Sequence, residues 1–153
     1  MKKLKLIISV IMFAVCFSSC ISNDENIFSE PREIPLLDYS LYETCVWNHE
    51  GLRTENMVFI VNDNKTLQKH LSCSVVSYPN VDFSKNTLLF AKGLPQCCNP
   101  SNLEAFFFQN GKNEFTLQVN YKLGIFGPYP WTIAFLIPRI SDKANIKLKI
   151  TEL

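Results

Sequence analysis

Glycine is scarce in this 153-residue chain. Gly51, Gly93, Gly111, Gly124 and Gly127 form no Gly-rich phosphate loop, and no Gly-x-Ser-x-Gly elbow presents a serine nucleophile. Histidine is scarcer still, with only His49 and His70. His49-Glu50 runs into Gly51-Leu52-Arg53, so the second histidine of a zinc-protease helix is missing. No Cys-x-x-Cys opens a helix, which removes the usual means of lowering a thiol pKa. Asp82 and Glu104 read as turn or surface carboxylates, and a Cys/His dyad from Cys97 or Cys98 with His49 or His70 could arise only through folding. These gaps leave no catalytic residue to nominate, and no enzymatic activity or cofactor is expected.

Basic charge is also thin. Residues 1–19 hold three lysines and no acid, and without them 12 basic and 14 acidic residues remain, a net of −2. No Lys/Arg stripe interleaves with aromatics, so nucleic acid is not an expected partner. With 47% apolar and 19% charged residues, the composition fits neither disorder nor a continuously membrane-embedded chain.

What the N-terminus does have is a three-part leader. Lys2, Lys3 and Lys5 precede an apolar run from Leu6 to Phe17, broken only by Ser9. Twelve helical residues rise about 18 Å, short of a hydrocarbon core of about 30 Å. The run therefore reads as the apolar part of a signal peptide, which Ser18, Ser19 and Cys20 close with small side chains and a thiol. This stretch resembles a bacterial lipobox, with Phe17 where leucine is more usual. The resemblance implies cleavage after Ser19, diacylglyceryl transfer to Cys20, and a lipid anchor in the bacterial outer membrane. Ser22, Asn23, Asp24 and Glu25 look like an acidic tag for surface export. The expected organisation is signal peptide 1–19, flexible acidic tether 20–35 and a single globular domain 36–153.

Strand signals fill that domain. Candidates are residues 41–47, 56–61, 87–91, 105–109, 114–122, 132–137 and 145–151. Phe115, Leu117, Val119 and Tyr121 share one parity against Thr116, Gln118 and Asn120, and Ile146, Leu148 and Ile150 alternate with Lys147, Lys149 and Thr151. Such strands keep one wet face. The continuous apolar run Met57-Val58-Phe59-Ile60-Val61 suits a strand buried on both faces. Asn110-Gly111-Lys112-Asn113 reads as a hairpin turn. One short helix, capped by Asn62 or Asp63 and carrying Leu67, His70 and Leu71 on one stripe, should end near Cys73. The expected fold is α+β, a mainly antiparallel sheet in a sandwich or partly open barrel with one short helix.

Once Cys16 leaves and Cys20 is acylated, Cys45, Cys73, Cys97 and Cys98 remain. An oxidising envelope favours disulfides, with Cys45–Cys73 the preferred pair joining the first strand to the helix end. A zinc site built on Cys45/His49 and His70/Cys73, or a thiol or metal protein using Cys97 and Cys98, is the alternative. No metal site is assigned. The segment from Gly124 to Trp131 holds Phe126, Tyr129 and Trp131 in a glycine- and proline-stiffened loop, either a candidate contact surface for a protein or a glycan or a set of rings that fold inward to plug the end of the sheet.

Several stretches resemble a Bacteroidetes lipoprotein domain of uncharacterised function and are similar to the C-terminal domain of PrcB-type protease-complex lipoproteins. They are Phe59–Asp63, Tyr78–Lys85 leading into Thr87–Gly93, and Trp131–Pro138. The likeness spans Val58 to Leu153, with Pro95-Gln96-Cys97-Cys98-Asn99-Pro100 inserted after the glycine-ended strand, and it implies no catalytic motif. The combined expectation is a surface-presented, non-enzymatic binding module.

Overall fold

A computed structural model of the chain describes residues 30–48, 56–74, 78–95, 100–124, 127 and 129–153. In it, two four-stranded sheets face each other, and a two-stranded ribbon and one helix lie on the outside of the second sheet. The strands are β1 (Arg32–Ile34), β2 (Leu37–Asp38), β3 (Cys45–Trp47), β4 (Met57–Val61), β5 (Leu71–Cys73), β6 (Asn86–Gly93), β7 (Pro100–Gln109), β8 (Glu114–Leu123), β9 (Trp131–Pro138) and β10 (Asn145–Glu152). The helix is α1 (Asn64–Lys69). One sheet has the order β1-β7-β8-β10, the other β2-β9-β6-β4, and β3 pairs with β5. All pairings are antiparallel except β8–β10. The expected α+β sandwich is the observed one, and its sheets stay open.

Side-chain parity builds two cores. From β8, Phe115, Leu117 and Val119 point inward to meet Phe107 of β7, Leu89 and Ala91 of β6, and Trp131 and Ile137 of β9. Phe107 and Phe115 stack at 5.3 Å. Ile146, Leu148 and Ile150 of β10 pack against the same core, while Lys147 and Lys149 face solvent. Both alternating strands thus behave as their period-two patterns require.

The other parity of β6 and β9 builds the second core. Leu88, Phe90 and Ala134 meet Val61, Leu67 of α1, Tyr39 and Val81, with Trp47 and Leu71 of the ribbon packed on top. Strand β6 is consequently the one buried on both faces. The apolar run at Met57–Val61 forms an edge strand instead, and only Val61 is fully buried. A run of β-formers shows that a strand exists but not whether a neighbour lies on each side.

Local chemistry sets the boundaries. Asp63 caps α1 by accepting from the Thr66 amide at 2.8 Å, as read from sequence. The helix ends at Lys69, not near Cys73, because Leu71–Cys73 pair with Trp47–Cys45. Residues 41–44 belong to no strand, so the reading of 41–47 shrinks to Cys45–Trp47. Arg32–Ile34, inside the stretch assigned to the tether, already pair with Gln109–Phe107. The β7–β8 hairpin closes with the Asn110 and Gly111 amides both donating to the Glu114 carbonyl. Neither residue takes left-handed backbone, so the turn forms without the positive φ that Asn-Gly permits. Asn102 does take it, with φ 50, at the bulge between Ser101 and Glu104.

A polar latch joins the ends. The Thr87 hydroxyl donates to Asn62 Oδ1 at 2.5 Å and accepts from the Ile140 amide at 3.0 Å. Arg139 Nη1 donates to the carbonyls of Asn62 at 2.8 Å and Phe83 at 2.7 Å. These bonds satisfy groups that would cost about 1–3 kcal/mol each if buried unpaired.

The strands also have a common polarity. The chain enters the sandwich at Arg32, beside Gln109, at the end that carries the β7–β8 and β9–β10 connections. The β6–β7 and β8–β9 connections leave from the opposite end, where Gly93 pairs with Trp131.

Cys45 and Cys73 form a disulfide across the ribbon, with their Cα atoms 4.1 Å apart. The expected pairing holds, though it joins two strands and not a strand to a helix end. Thr44 and Ser74 exchange a hydrogen bond just beyond it, which leaves Cys45–Cys73 at a non-hydrogen-bonded pair, where side chains lie closest. Two three-residue strands are marginal alone. Closing a loop of 28 residues is worth about 3–4 kcal/mol by the chain-entropy relation. Replacing both cysteines by alanine is therefore expected to lower the urea unfolding free energy by about 3 kcal/mol. A loss below about 1 kcal/mol would show that the ribbon is held without the bond.

Candidate functional site

The aromatic loop read from sequence does not survive as one surface. Tyr129 is 62% exposed, but Trp131 is 5% exposed and belongs to the inter-sheet core. Its indole covers Gly93, where a Cβ would stand 2.7 Å from Trp131 Nε1, so the glycine that ends β6 makes room for this ring. Trp131 is thus a packing residue, because burial between the sheets outweighs its place beside a loop. Phe126 lies outside the described residues, as do Cys20, His49, Cys97 and Cys98. The disulfide takes Cys45 and Cys73 out of the alternative zinc set. Among the described residues no group of three or more metal-ligating side chains comes together, and no helix is long and apolar enough to cross a membrane.

Under the ribbon lies a ring cluster that no motif announced. Phe90 stacks on Trp47 at 4.8 Å and on Phe59 at 4.7 Å, and the His70 imidazole meets Phe59 and Phe90, each at 4.8 Å. Lys92 is 6% exposed; its ammonium donates to the Asn48 carbonyl at 2.9 Å and sits 5.5 Å from the Phe59 ring centre. The Asn48 amide in turn donates to the His70 carbonyl at 2.8 Å. Burial, then the charges of Lys92 and Lys69, push His70 below its usual value. Tyr39 donates to the Pro79 carbonyl at 2.7 Å, and burial, aided by Tyr78 and Tyr42, pushes its phenol up to about 12. This cluster holds the outer layer onto the sheet and is filled by its own side chains.

Beside it is a groove of about 700 Å³. Strand β2 pairs with β9 only at Leu37–Asp38, with one further bond from the Tyr39 amide to the Ala134 carbonyl. Strand β1 covers only the last three residues of β7. Both sheets therefore lose their edge strand toward the same end, and the gap opens between β7, β9 and the ribbon. Leu103, Ala105, Ile133, Phe135, Tyr39 and Trp47 give it apolar walls, with Asp38 the one charged side chain in the lining. Val46 on the ribbon is 60% exposed at its rim. The groove is open to solvent, and polar and apolar surface share its lining almost equally, with Asp38, Ser40 and Thr132 beside the apolar walls.

The outer face of the β1-β7-β8-β10 sheet differs from that of its partner. Neither core takes a side chain from it, and no described element packs across it. Its rows read Glu114, Asn145; then Glu33, Phe108, Thr116, Lys147; then Phe106, Gln118, Lys149; then Glu104, Asn120, Thr151. Three consecutive phenylalanines in β7 were the available signal. With Phe107 inward opposite Leu117, the other two must point out.

Comparison of the chain with known protein families, with curated proteins and with solved structures finds no match in any of the three. The likeness to the Bacteroidetes lipoprotein domain rests on sequence pattern alone.

His70 gives the fold a pH dependence of definite sign. Its folded value is lowered, so the unfolded chain takes up a proton near 6.5 while the folded chain resists. The stability this group contributes is complete above that value and is lost as pH falls through the lowered one. The urea midpoint should fall between pH 7.5 and 5, and His70→Gln should flatten that fall. An unchanged slope in the variant would place the titration elsewhere.

Proposed function

We propose that this chain is a lipid-anchored binding module of a bacterial envelope, held through Cys20, without catalytic chemistry of its own. The observation that carries the binding reading is the half-uncovered edge of the sandwich, where a groove of about 700 Å³ with mixed polar and apolar lining lies open beside exposed Val46. A ligand with an apolar body and a polar group can meet Ile133, Leu103 and Trp47 on one side and Asp38 or Ser40 on the other. The anchor reading is supported by the leader of residues 1–19, whose three lysines precede an apolar run of twelve residues and whose small residues Ser18 and Ser19 lead into Cys20.

The polarity of the strands supports an accessible presentation. Eleven residues separate Cys20 from Arg32, enough for a span of about 40 Å when extended. The chain then joins the sheet at one end, and the groove lies toward the other, alongside residues 131–135 of β9 and 103–105 of β7. A tether of that length lets the body stand clear of the bilayer with its groove within reach of a soluble or surface-bound ligand.

Two measurements test the reading. Labelled palmitate should enter the wild-type protein and pellet with membranes, and Cys20→Ala should be unlabelled and soluble; a variant that still pellets would refute the anchor. For the groove, a neutral naphthylamine dye should brighten on the native protein, and Ser40→Trp at the exposed rim should suppress the gain without lowering the melting temperature. An absent gain, or one indifferent to the substitution, would refute the groove as a ligand site.

A further inference from the structure

We propose that the outer face of the β1-β7-β8-β10 sheet binds an acidic polysaccharide, with Phe106 and Phe108 stacking on sugar rings while Lys147 and Lys149 pair with their carboxylates. The proposal deepens the binding-module reading by naming a ligand class, but it concerns a different surface from the groove.

The case rests on what the strand register places together. Phe106 and Phe108 are two residues apart on one face of β7, so their rings stand about 7 Å apart along the strand. They are half-buried, belong to neither core and, among the described residues, make no stacking pair with each other or with another ring. Aromatic side chains that neither pack inward nor stack offer flat apolar faces, which suit the axial C–H face of a pyranose. Beside them, across one strand, stand Gln118 and Thr116, and across a second strand Lys149 and Lys147.

The polar groups are arranged for hydroxyls and carboxylates. Gln118 Nε2 donates to Asn120 Oδ1 at 3.1 Å, which fixes both amides and leaves Gln118 Oε1 and Asn120 Nδ2 directed to other partners. Glu33 and Glu104 bracket the phenylalanine pair on the β1 and β7 side and can accept from sugar hydroxyls. Lys147 and Lys149 are exposed, repeat at the same spacing as the two rings, and no carboxylate stands between them and β7 on the Thr116 and Gln118 rows. The two columns lie two strand spacings apart, about 10 Å. The face therefore runs from apolar and hydroxyl-accepting at β7 to the lysine pair in the middle of β10, with Glu114 held by Asn145 Nδ2 at the turn end. A chain of uronic acids would lie with its rings on the first column and its carboxylates toward Lys147 and Lys149. An acidic polypeptide would satisfy the lysines but not the flat phenylalanine pair.

The full chain, purified in non-ionic detergent, is run by affinity electrophoresis through gels containing polygalacturonate, dextran or poly-L-glutamate. Retardation by polygalacturonate alone is expected, weakening as salt rises. The Phe106→Ala/Phe108→Ala protein should bind about tenfold more weakly at an unchanged melting temperature. Lys147→Gln/Lys149→Gln, at exposed positions outside both cores, should lose most of the salt dependence at an unchanged melting temperature. Equal retardation by poly-L-glutamate would reduce the face to a site for acidic polypeptides, retardation by dextran would remove the role of charge, and free migration in all three gels would end the proposal. None of these failures touches the acylation or dye measurements, which stand or fall separately.

Discussion

Strand β6 is the constraint on which the rest of this protein depends. Its two parities serve two cores, with Leu89 and Ala91 facing the opposite sheet while Leu88 and Phe90 face the ribbon and helix. A strand covered on both sides needs two covers, and the chain supplies the second from short pieces: α1, the β3–β5 ribbon and the stretch from Tyr78 to Phe83. Phe90 holds them, since Trp47, Phe59 and His70 all contact its ring. Truncating such a side chain costs about 3–5 kcal/mol, a large part of the 5–15 kcal/mol that keeps a domain folded. The cross-strand disulfide makes sense in this setting, because the ribbon is too short to stay in place through its own hydrogen bonds.

The two sheets are unequal as a result. One is hidden on both faces and does structural work. The other keeps a broad outer face in water, and the side chains there answer to no core. Where edge strands β1 and β2 stop short, the boundary between the sheets is also left ajar. Both exposed features lie on a body whose first residues join the sheet at a single end, so a flexible link from an anchor at Cys20 would leave both of them accessible. The binding reading follows from this asymmetry and from no motif.

Much of the sheet framework was legible in the residues. The alternation in β8 and β10, the Asn110–Asn113 turn, the Asp63 cap and the Cys45–Cys73 pair each carry a local signal strong enough to survive folding. What the chain does not encode locally could not be read. Alternation in β10 says which side chains are wet but not that the strand runs parallel to β8, a direction set by the β9–β10 connection crossing between sheets. Strands β1, β2 and β5 have two or three residues each, and pairing with longer neighbours, not propensity, defines them. At Leu71, a helical stripe and a strand position coincide, and the disulfide-bearing ribbon prevails. Of the two places open to Trp131, in a contact loop or plugging the end of the sheet, the bulk of the indole decides for the second, over Gly93. The outward phenylalanines were hidden inside a run of three whose parity only the hairpin register resolves.

Hydroxyl-radical footprinting of the folded protein, read by mass spectrometry at single residues, tests the inequality of the two sheets most directly. Phe106 and Phe108 should be oxidised readily while Phe90 and Phe107, 1% and 0% exposed, stay protected. Equal protection of all four rings would mean that both sheets are covered, and the account of an open face would be contradicted.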